Sequence, residues 1–476
     1  MLQLTFLIPF MAGIIVFFLP VRKGRFMLLA TAAFHAFITV FEWCGLSAPL
    51  HTRYFSNTPE GMLVMSLLSF LFILISFYTI FYMNEVEMSK EPQFNACMLL
   101  FLSAMSMVAI ADHIIILWVA VEATTLMSAP LIFTHRSKAS LEATWKYILI
   151  CSVGIALALL GCFFIVFSME TGGVHVPISF SSLQTVAGKL NPIWLKAGFI
   201  FIVIGYGTKM GLAPMHTWLP DAHSEAPSPA SALLSGALLN CAFLGIYRCH
   251  KLMYGAGLGD YSGNVLIALG LTSMLVSAVF ILNQSDYKRM LAYSSIENMG
   301  IIAFGIGIGG LAAFGAMLHM IHHSLVKSSL FLSSGNILLG YGTKKINKTG
   351  GMLKLFPKTG GTFFAGFIGI SGFPPFGLFV SELLIILGAI KAGRYTAIAI
   401  FIFCLILIFA GAVRLAMRMV FRDRSDEDIL VKEEWMRTLP PVILLLTSMA
   451  LVIWMPDSLY QTIQHAIASI GGVANG

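Results

Sequence analysis

The stretch "GYGTKMGLAPMHTWLPDAHSEAPSPASALLSG", residues 205–236, decides how the rest of the chain is read. It continues an apolar run that starts near residue 194, places Lys209 inside that run, and then breaks the helical pattern at Pro214 and Pro220. A charge at the centre of a membrane span costs at least ~2.5–3.5 kcal/mol. A proline frees backbone groups that hydrocarbon cannot satisfy. The two together make sense only where a helix lines a hydrated interior.

Composition places the stretch in a membrane. The chain has 476 residues, 58% hydrophobic and 11% charged, with a mean hydropathy of +0.87. A soluble surface needs more charge than this. Fourteen apolar runs recur, from 2–20 through 194–214, 311–339 and 362–390 to 439–455. Each is long enough for a ~30 Å hydrocarbon core. The expectation is an all-α polytopic membrane protein with about fourteen transmembrane helices. The opening "MLQLTFLIPF" has neither a basic n-region nor a small-residue cleavage site and reads as a retained helix.

The net charge of +7 invites a nucleic-acid reading, but the basic residues lie in loops. With alternate loops assigned to one side, 20 Lys/Arg fall with "VRKGR" and 7 on the opposite face, leaving Lys209 and Lys327 inside the membrane. Positive-inside orientation then puts both termini on the non-cytoplasmic side of the cell membrane, with no nucleic-acid partner implied. The seven cysteines are scattered singly, so neither disulfides nor an iron–sulfur site is supported. No soluble domain fits between the spans, and the mixed-charge "RDRSDEDILVKEEWMR" reads as a solvated, partly helical cytoplasmic loop.

A weak internal symmetry runs along the chain. "GLAPMHTWLP" (211–220) and "SGFPPFGLFVSE" (371–382) are both Gly/Pro-interrupted helices beside an ionisable residue. Each sits three spans into a block of five, and odd-numbered blocks have opposite orientations, so such repeats would be inverted. The resulting division is 1–92 for three N-terminal helices, 93–252 and 260–422 for two five-helix repeats, and 423–476 for a loop and the last helix.

Ionisable groups inside the spans carry the chemistry. They are Glu122 in "LWVAVEATTLMSAP", Lys209, Lys327 in "HMIHHSLVKSSLFL" and Glu382 in "FGLFVSELLII". A structural ion pair would explain one Lys–Glu pair. Four such groups on four helices, with histidines between them, favour a hydrated proton relay. Burial disfavours a charged ammonium and a nearby carboxylate restores it. At ~4 Å and an effective dielectric of ~20 the pair is worth ~4 kcal/mol, so movement of Glu122 would switch Lys209 between holding and releasing a proton.

His319, His323 and Lys327, at i, i+4 and i+8, form one helical stripe ~12 Å long. Histidine titrates near neutrality and suits a water-linked path. Zinc on "HMIHH" lacks an acidic or thiol ligand at the expected spacing, and haem lacks facing axial histidines, so no metal or cofactor is assigned. His216 is either a link in the path or a partner for backbone groups freed by the break. His223 reads as interfacial. Asp112, Lys146 and Glu297 lie near span ends, where snorkelling accounts for them, and they stand only as proton uptake or exit groups.

"TKMGLAPMHTWLPDAHSEAPSPASALLSG", "LWVAVEATTL", "WKYILICSVGIALALLG", "DYKRMLAYSSIENMGII", "HMIHHSLVKSSLFLSSGNI" and "SGFPPFGLFVSEL" closely resemble the antiporter-like subunits of respiratory complex I and its relatives. They run in collinear order over about 110–390. The resemblance implies a fourteen-helix fold with two inverted five-helix repeats. It also implies proton-translocation roles: the helix-five glutamate falls on Glu122, the broken-helix lysine on Lys209, the central helix groups on His319, His323 and Lys327, and the distal group on Glu382. Many members carry a lysine or histidine in the helix after the first break. Asn240 stands there in this chain, a neutral amide that orders water but holds no proton. "SSIENMGI", "LVKSSLFLSSGNI" and "LLNCAFLGIYR" look most like the hydrogenase-4 component F group of formate hydrogenlyase-like and other membrane-bound hydrogenase complexes.

The implied function is a proton-translocating membrane subunit with no redox centre of its own. Its implied partners are other membrane subunits and a peripheral hydrogenase or dehydrogenase arm on the cytoplasmic side. The alternatives are a subunit of a multisubunit sodium (or potassium)/proton antiporter, a passive anchor for the redox arm, and a haem- or quinone-binding membrane enzyme. Lysines on the path argue mildly against a cation route.

Overall fold

The computed structural model of the protein describes residues 1–46, 50–86, 90–422 and 431–471. Among these the chain is almost entirely helical and has no strand. The mixed-charge loop after Arg422 falls largely on 423–430, outside the described residues.

The N-terminal helices are α1 (Leu4–Val16), α2 (Val21–Trp43) and α3 (Pro59–Val86), followed by α4 (Glu91–Ile110), α5 (Ile114–Ile132) and α6 (Lys138–Thr171). A short α7 (Phe180–Thr185) leads to α8 (Pro192–Met210), and beyond the first break lie α9 (Trp218–Glu225), α10 (Ser228–Leu233) and α11 (Leu239–Gly255). A π-helical turn over Leu234–Leu238 joins α10 to α11. Then come α12 (Gly259–Ile281), α13 (Tyr287–Ile308), α14 (Gly310–Tyr341), α15 (Met352–Leu355), α16 (Pro357–Ile370), α17 (Gly377–Lys391), α18 (Tyr395–Phe421), α19 (Trp435–Ile453) and α20 (Asp457–Ile467).

Local chemistry sets several starts. Ser137 caps α6 by accepting from Ser140 N, and Asn191 caps α8 by accepting from Ile193 N, with Pro192 in the first turn. Asp286 caps α13 by accepting from Lys288 N and Arg289 N. The basic "VRKGR" forms the first turns of α2, where Arg25 makes a two-bond pair with Glu91 at 2.5 and 2.7 Å.

Among the described residues, eleven helical segments are long and apolar enough to cross a membrane. The other three apolar runs fold differently. Run 2–20 contains the 13-residue α1. Run 311–339 lies in α14, which is 32 residues long but diluted by three histidines, a lysine and five serines. Run 362–390 is divided into α16 and α17, of 14 and 15 residues. The segment Ser228–Gly255 is wholly enclosed, and α4 and α13 nearly so, whereas α2, α6, α18 and α19 bury little more than a third of their apolar stretches. Their outer faces carry Phe26, Phe163, Phe403 and Ile406, the apolar surface a bilayer requires.

Close helix approach is built from glycine. A Cβ on Gly161 of α6 would lie 2.8 Å from Gly198 O of α8, and one on Gly205 only 2.5 Å from Gly154 O. The α12–α13 crossing repeats the device, with a Cβ on Gly270 placed 2.6 Å from Gly300 O and one on Gly263 placed 2.5 Å from Gly307 O. With no hydrophobic force between helices in lipid, such backbone contact supplies the packing.

Both expected breaks are present. α8 ends at Gly211 with φ +84°, and the peptide Ala213–Pro214 is cis. α16 ends at Ser371, Gly372 has φ +66°, and Pro374–Pro375 is cis. At the first break, Ala213 N donates to Ser273 Oγ of α12 at 2.9 Å, and Trp218 Nε1 donates to Thr208 O at 2.8 Å. These bonds satisfy groups that the helix end leaves orphaned. The segment after the break is fastened to the second half of the chain. Asp221 pairs with Lys146 and Arg289, Lys344 pairs with Glu225 at 2.8 Å, and the buried Lys288 donates to Ala226 O at 2.8 Å.

Candidate functional site

The first polar centre forms where α5, α6 and α8 meet. Lys209, on the last turn of α8, is fully buried, and its ammonium donates to Thr125 Oγ1 at 2.8 Å and to Tyr147 OH at 2.6 Å. Its Nζ lies 4.6 Å from the centroid of the Tyr147 ring, beyond the hydroxyl edge that it contacts. Tyr147 is held in turn by Ser128 Oγ at 2.5 Å and packs on Trp218 at 4.9 Å between centroids.

Glu122 is half-buried and makes no direct ion pair with Lys209. Its Oε2 accepts from Thr125 Oγ1 at 3.4 Å and its Oε1 from Ser152 Oγ at 3.1 Å. Thr125 therefore bridges the two charges and holds them within about 6 Å of each other. At an effective dielectric of ~20 that separation leaves roughly 3 kcal/mol of attraction, somewhat less than direct contact would give.

The second centre surrounds α14. Lys327 is fully buried, and its ammonium donates to Leu291 O at 2.5 Å and to Ser294 Oγ at 2.7 Å, both on α13. Two turns earlier, His319 uses both ring nitrogens, Nε2 to Asn298 Oδ1 of α13 and Nδ1 to Ser381 Oγ of α17, each at 2.9 Å. His319 thus ties together the neighbours of Glu297 and Glu382. His323 lies between His319 and Lys327, and its two ring nitrogens have no hydrogen-bond partner among the described residues.

Between the centres stands Asn240 of α11. Its Nδ2 donates to Gly236 O at 2.9 Å and to Ser324 Oγ of α14 at 2.7 Å, while its Oδ1 is buried without a protein partner. A Cβ on Gly236 would meet Ser328 Oγ at 2.2 Å, so glycine at this position allows α14 to come so close. His223, expected at an interface, is instead fully buried, stacks on Phe331 at 4.7 Å, and leaves both ring nitrogens unpartnered. His216 is buried beside Tyr293, at 6.4 Å between centroids, and its Nδ1 is likewise unpartnered.

The structure corrects the reading of Glu297. Because Asp286 caps α13, the helix begins at Tyr287 and Glu297 falls at its middle, 5% exposed and too deep to snorkel. That cap, "SDYKRM", was the signal in the sequence. Asp112 is also buried, accepting from Ser181 N and Oγ, whereas Lys146 is an exposed partner of Glu142 and Asp221. Tyr147, Thr125 and Ser294 were not singled out from the sequence. Only the tyrosine carried a signal there, a phenol in an apolar run that needs a polar contact when buried.

The family model described as "NADH:quinone oxidoreductase/Mrp antiporter, TM" matches residues 111–408. A hydrogenase-4 component F homolog of Methylacidiphilum infernorum is 37% identical over 368 residues, covering 74% of this chain and 77% of that protein. Hydrogenase-4 component B of Escherichia coli K12 is 31% identical over 366 residues, 74% of this chain and 53% of that longer relative. A chain of the archaeal membrane-bound sulfane sulfur reductase superposes with a TM-score of 0.89 at 22% identity, covering 98% of this chain and 97% of that one. Both Lys209 and Lys327, with the breaks beside Lys209 and Glu382, lie inside the matched region, and the chain belongs to the NADH:quinone oxidoreductase/Mrp antiporter transmembrane family.

Proposed function

We propose that this chain is the proton-translocating membrane subunit of a redox-driven complex, of hydrogenase-4-like or NADH dehydrogenase-like type. Electron transfer takes place in partner subunits, and this chain moves protons. The observation that supports the reading is the set of polar groups inside the bundle: half-buried Glu122 beside buried Lys209, Asn240 bonded to α14, and buried His319, His323, Lys327 and Glu382 on α14 and α17.

Each part has a chemical task. Glu122 is the group whose approach or withdrawal sets whether Lys209 keeps its proton, with Thr125 and Tyr147 as hydroxyl contacts that pass it. Asn240 and His323 present buried polar atoms without protein partners, the positions that ordered water fills. His216 and His223 border the same path at the break. Lys327 and His319 carry the proton onward to Glu382.

The fuller architecture belongs to the same proposal. α1, α14 and the α16–α17 pair join the eleven long apolar segments to make fourteen spans. Spans four to eight and nine to thirteen form two inverted repeats, each with one broken helix. Both termini face away from the cytoplasm, and a peripheral hydrogenase or dehydrogenase arm docks on the cytoplasmic side.

The test is a Lys209→Ala substitution in the assembled complex, reconstituted in proteoliposomes, with redox turnover and proton uptake measured together. Loss of a positioned acid–base group predicts a fall in proton uptake of about 100-fold or more while electron transfer continues. Unchanged uptake sinks the proposal in favour of a passive anchor. Uptake that requires sodium would favour the antiporter alternative.

A further inference from the structure

Beyond the relay groups already named, one cavity holds two carboxylates. It measures about 290 Å³, lies among α12, α13, α16, the second break, α17 and α18, and opens to the outside of the bundle past the exposed Phe373 and Ile406. Most of its wall is apolar, including Ile281, Phe367 and Phe409, and its polar groups are Ser294, Glu297, Ser371 and Glu382. Glu297 and Glu382 are 5% and 8% exposed. Neither takes a salt bridge or hydrogen bond from the described residues, so what their oxygens meet is the cavity. Glu382 is folded back over the break, where a Cβ on Gly372 would lie 2.3 Å from its Oε2.

A structural ion pair does not account for Glu297. Its nearest cation, Lys327, spends its contacts on Leu291 O and Ser294 Oγ. Ser294 lies one turn before Glu297 on α13, about 4.5 Å along the axis, and both line the cavity. The cavity has room for several waters, and two carboxylates with two hydroxyls give such waters the partners they need.

We propose that Glu297 is a proton-carrying group in its own right, receiving the proton from Lys327 through Ser294 and passing it across the cavity to Glu382. This rests on the relay reading above and adds a carrier that the sequence assigned to a span end. In balance, Lys327 Nζ loses one proton, the Glu297 carboxylate gains it, and the same proton then leaves for Glu382. No electron is transferred.

The experiment compares Glu297→Gln, Glu297→Asp and Lys327→Ala in the intact complex in proteoliposomes, reading protons translocated per electron transferred and the infrared band of protonated carboxyl groups. The expected result is that Glu297→Gln lowers the ratio at least about tenfold with redox turnover retained. Glu297→Asp should restore it to within about threefold, since the acid is kept, and the carboxyl band should weaken in Glu297→Gln alone. A wild-type ratio in Glu297→Gln with Lys327→Ala inactive overturns this inference and leaves the relay standing. Wild-type ratios in all three overturn both. If Glu297→Gln and Glu297→Asp lose assembly and turnover together, or the carboxyl band does not change, Glu297 is structural and the inference fails.

Discussion

The two polar centres solve the same problem in different ways. Around Lys209 the contacts are specified: two hydroxyls hold the ammonium, and two further hydroxyl bonds fix Glu122. Around Glu382 the lysine is equally well held, but the carboxylates face open space and touch no donor. In the proposed relay a proton leaving Lys209 would meet oriented protein groups, whereas one arriving at Glu382 would cross a cavity. The first centre therefore depends on geometry, and the second on keeping acids near a space that water can fill.

The sharpest test of that contrast is Tyr147→Phe. The substitution keeps the ring and its packing on Trp218 but removes the hydroxyl shared by Lys209 and Ser128. A hydrogen bond to a charged group contributes ~1.5–3 kcal/mol, so proton translocation should fall about 10–100-fold with the fold intact. A wild-type rate would show that the first centre is not geometric after all.

Shortening each carboxylate by one methylene probes both centres with one chemical change. Glu122→Asp pulls the acid away from Thr125 and Ser152 and should cost about tenfold, the effect of losing ~1.5 kcal/mol of bonding. Glu382→Asp only lengthens a gap that water already spans and should stay within about threefold of wild type. Equal losses at the two positions, read as protons per electron, would break the comparison.

The distribution of these features explains what could be read from sequence. Eleven of the spans were legible as apolar runs, and both breaks, with half-buried Glu122 and buried Lys209, Lys327 and Glu382, were legible because each violates the chemistry of lipid and so stands out in such a run. Hydroxyl partners violate nothing: Thr125, Ser294 and Ser381 look like any small residue in a span until a neighbouring helix brings a charge to them. Glu297 was misread because an apolar window finds where a run becomes hydrophobic, not where its helix begins. Asp286 moves that beginning to Tyr287 and the carboxylate to the middle of the helix. The orphaned nitrogens of His223 and His323 depend on what surrounds them, which only packing reveals.

The smallest expected effect lies at the join between the centres. Asn240 contributes two hydrogen bonds, one to its own helix and one to Ser324 of α14, and leaves Oδ1 free toward the interior. Asn240→Ala removes the bond that crosses to α14, worth ~1 kcal/mol, and should slow transfer about fivefold without stopping it, because an amide orders water but carries no proton. A complete loss would mean that Asn240 fixes the helix contact on which both centres depend, and thermal stability should then fall with it. No change, together with a block in His223→Phe, would route the proton past the unpartnered nitrogens of His223 instead. The join would then run along the α9 side of the bundle, and the break beside Lys209 would itself form part of the path.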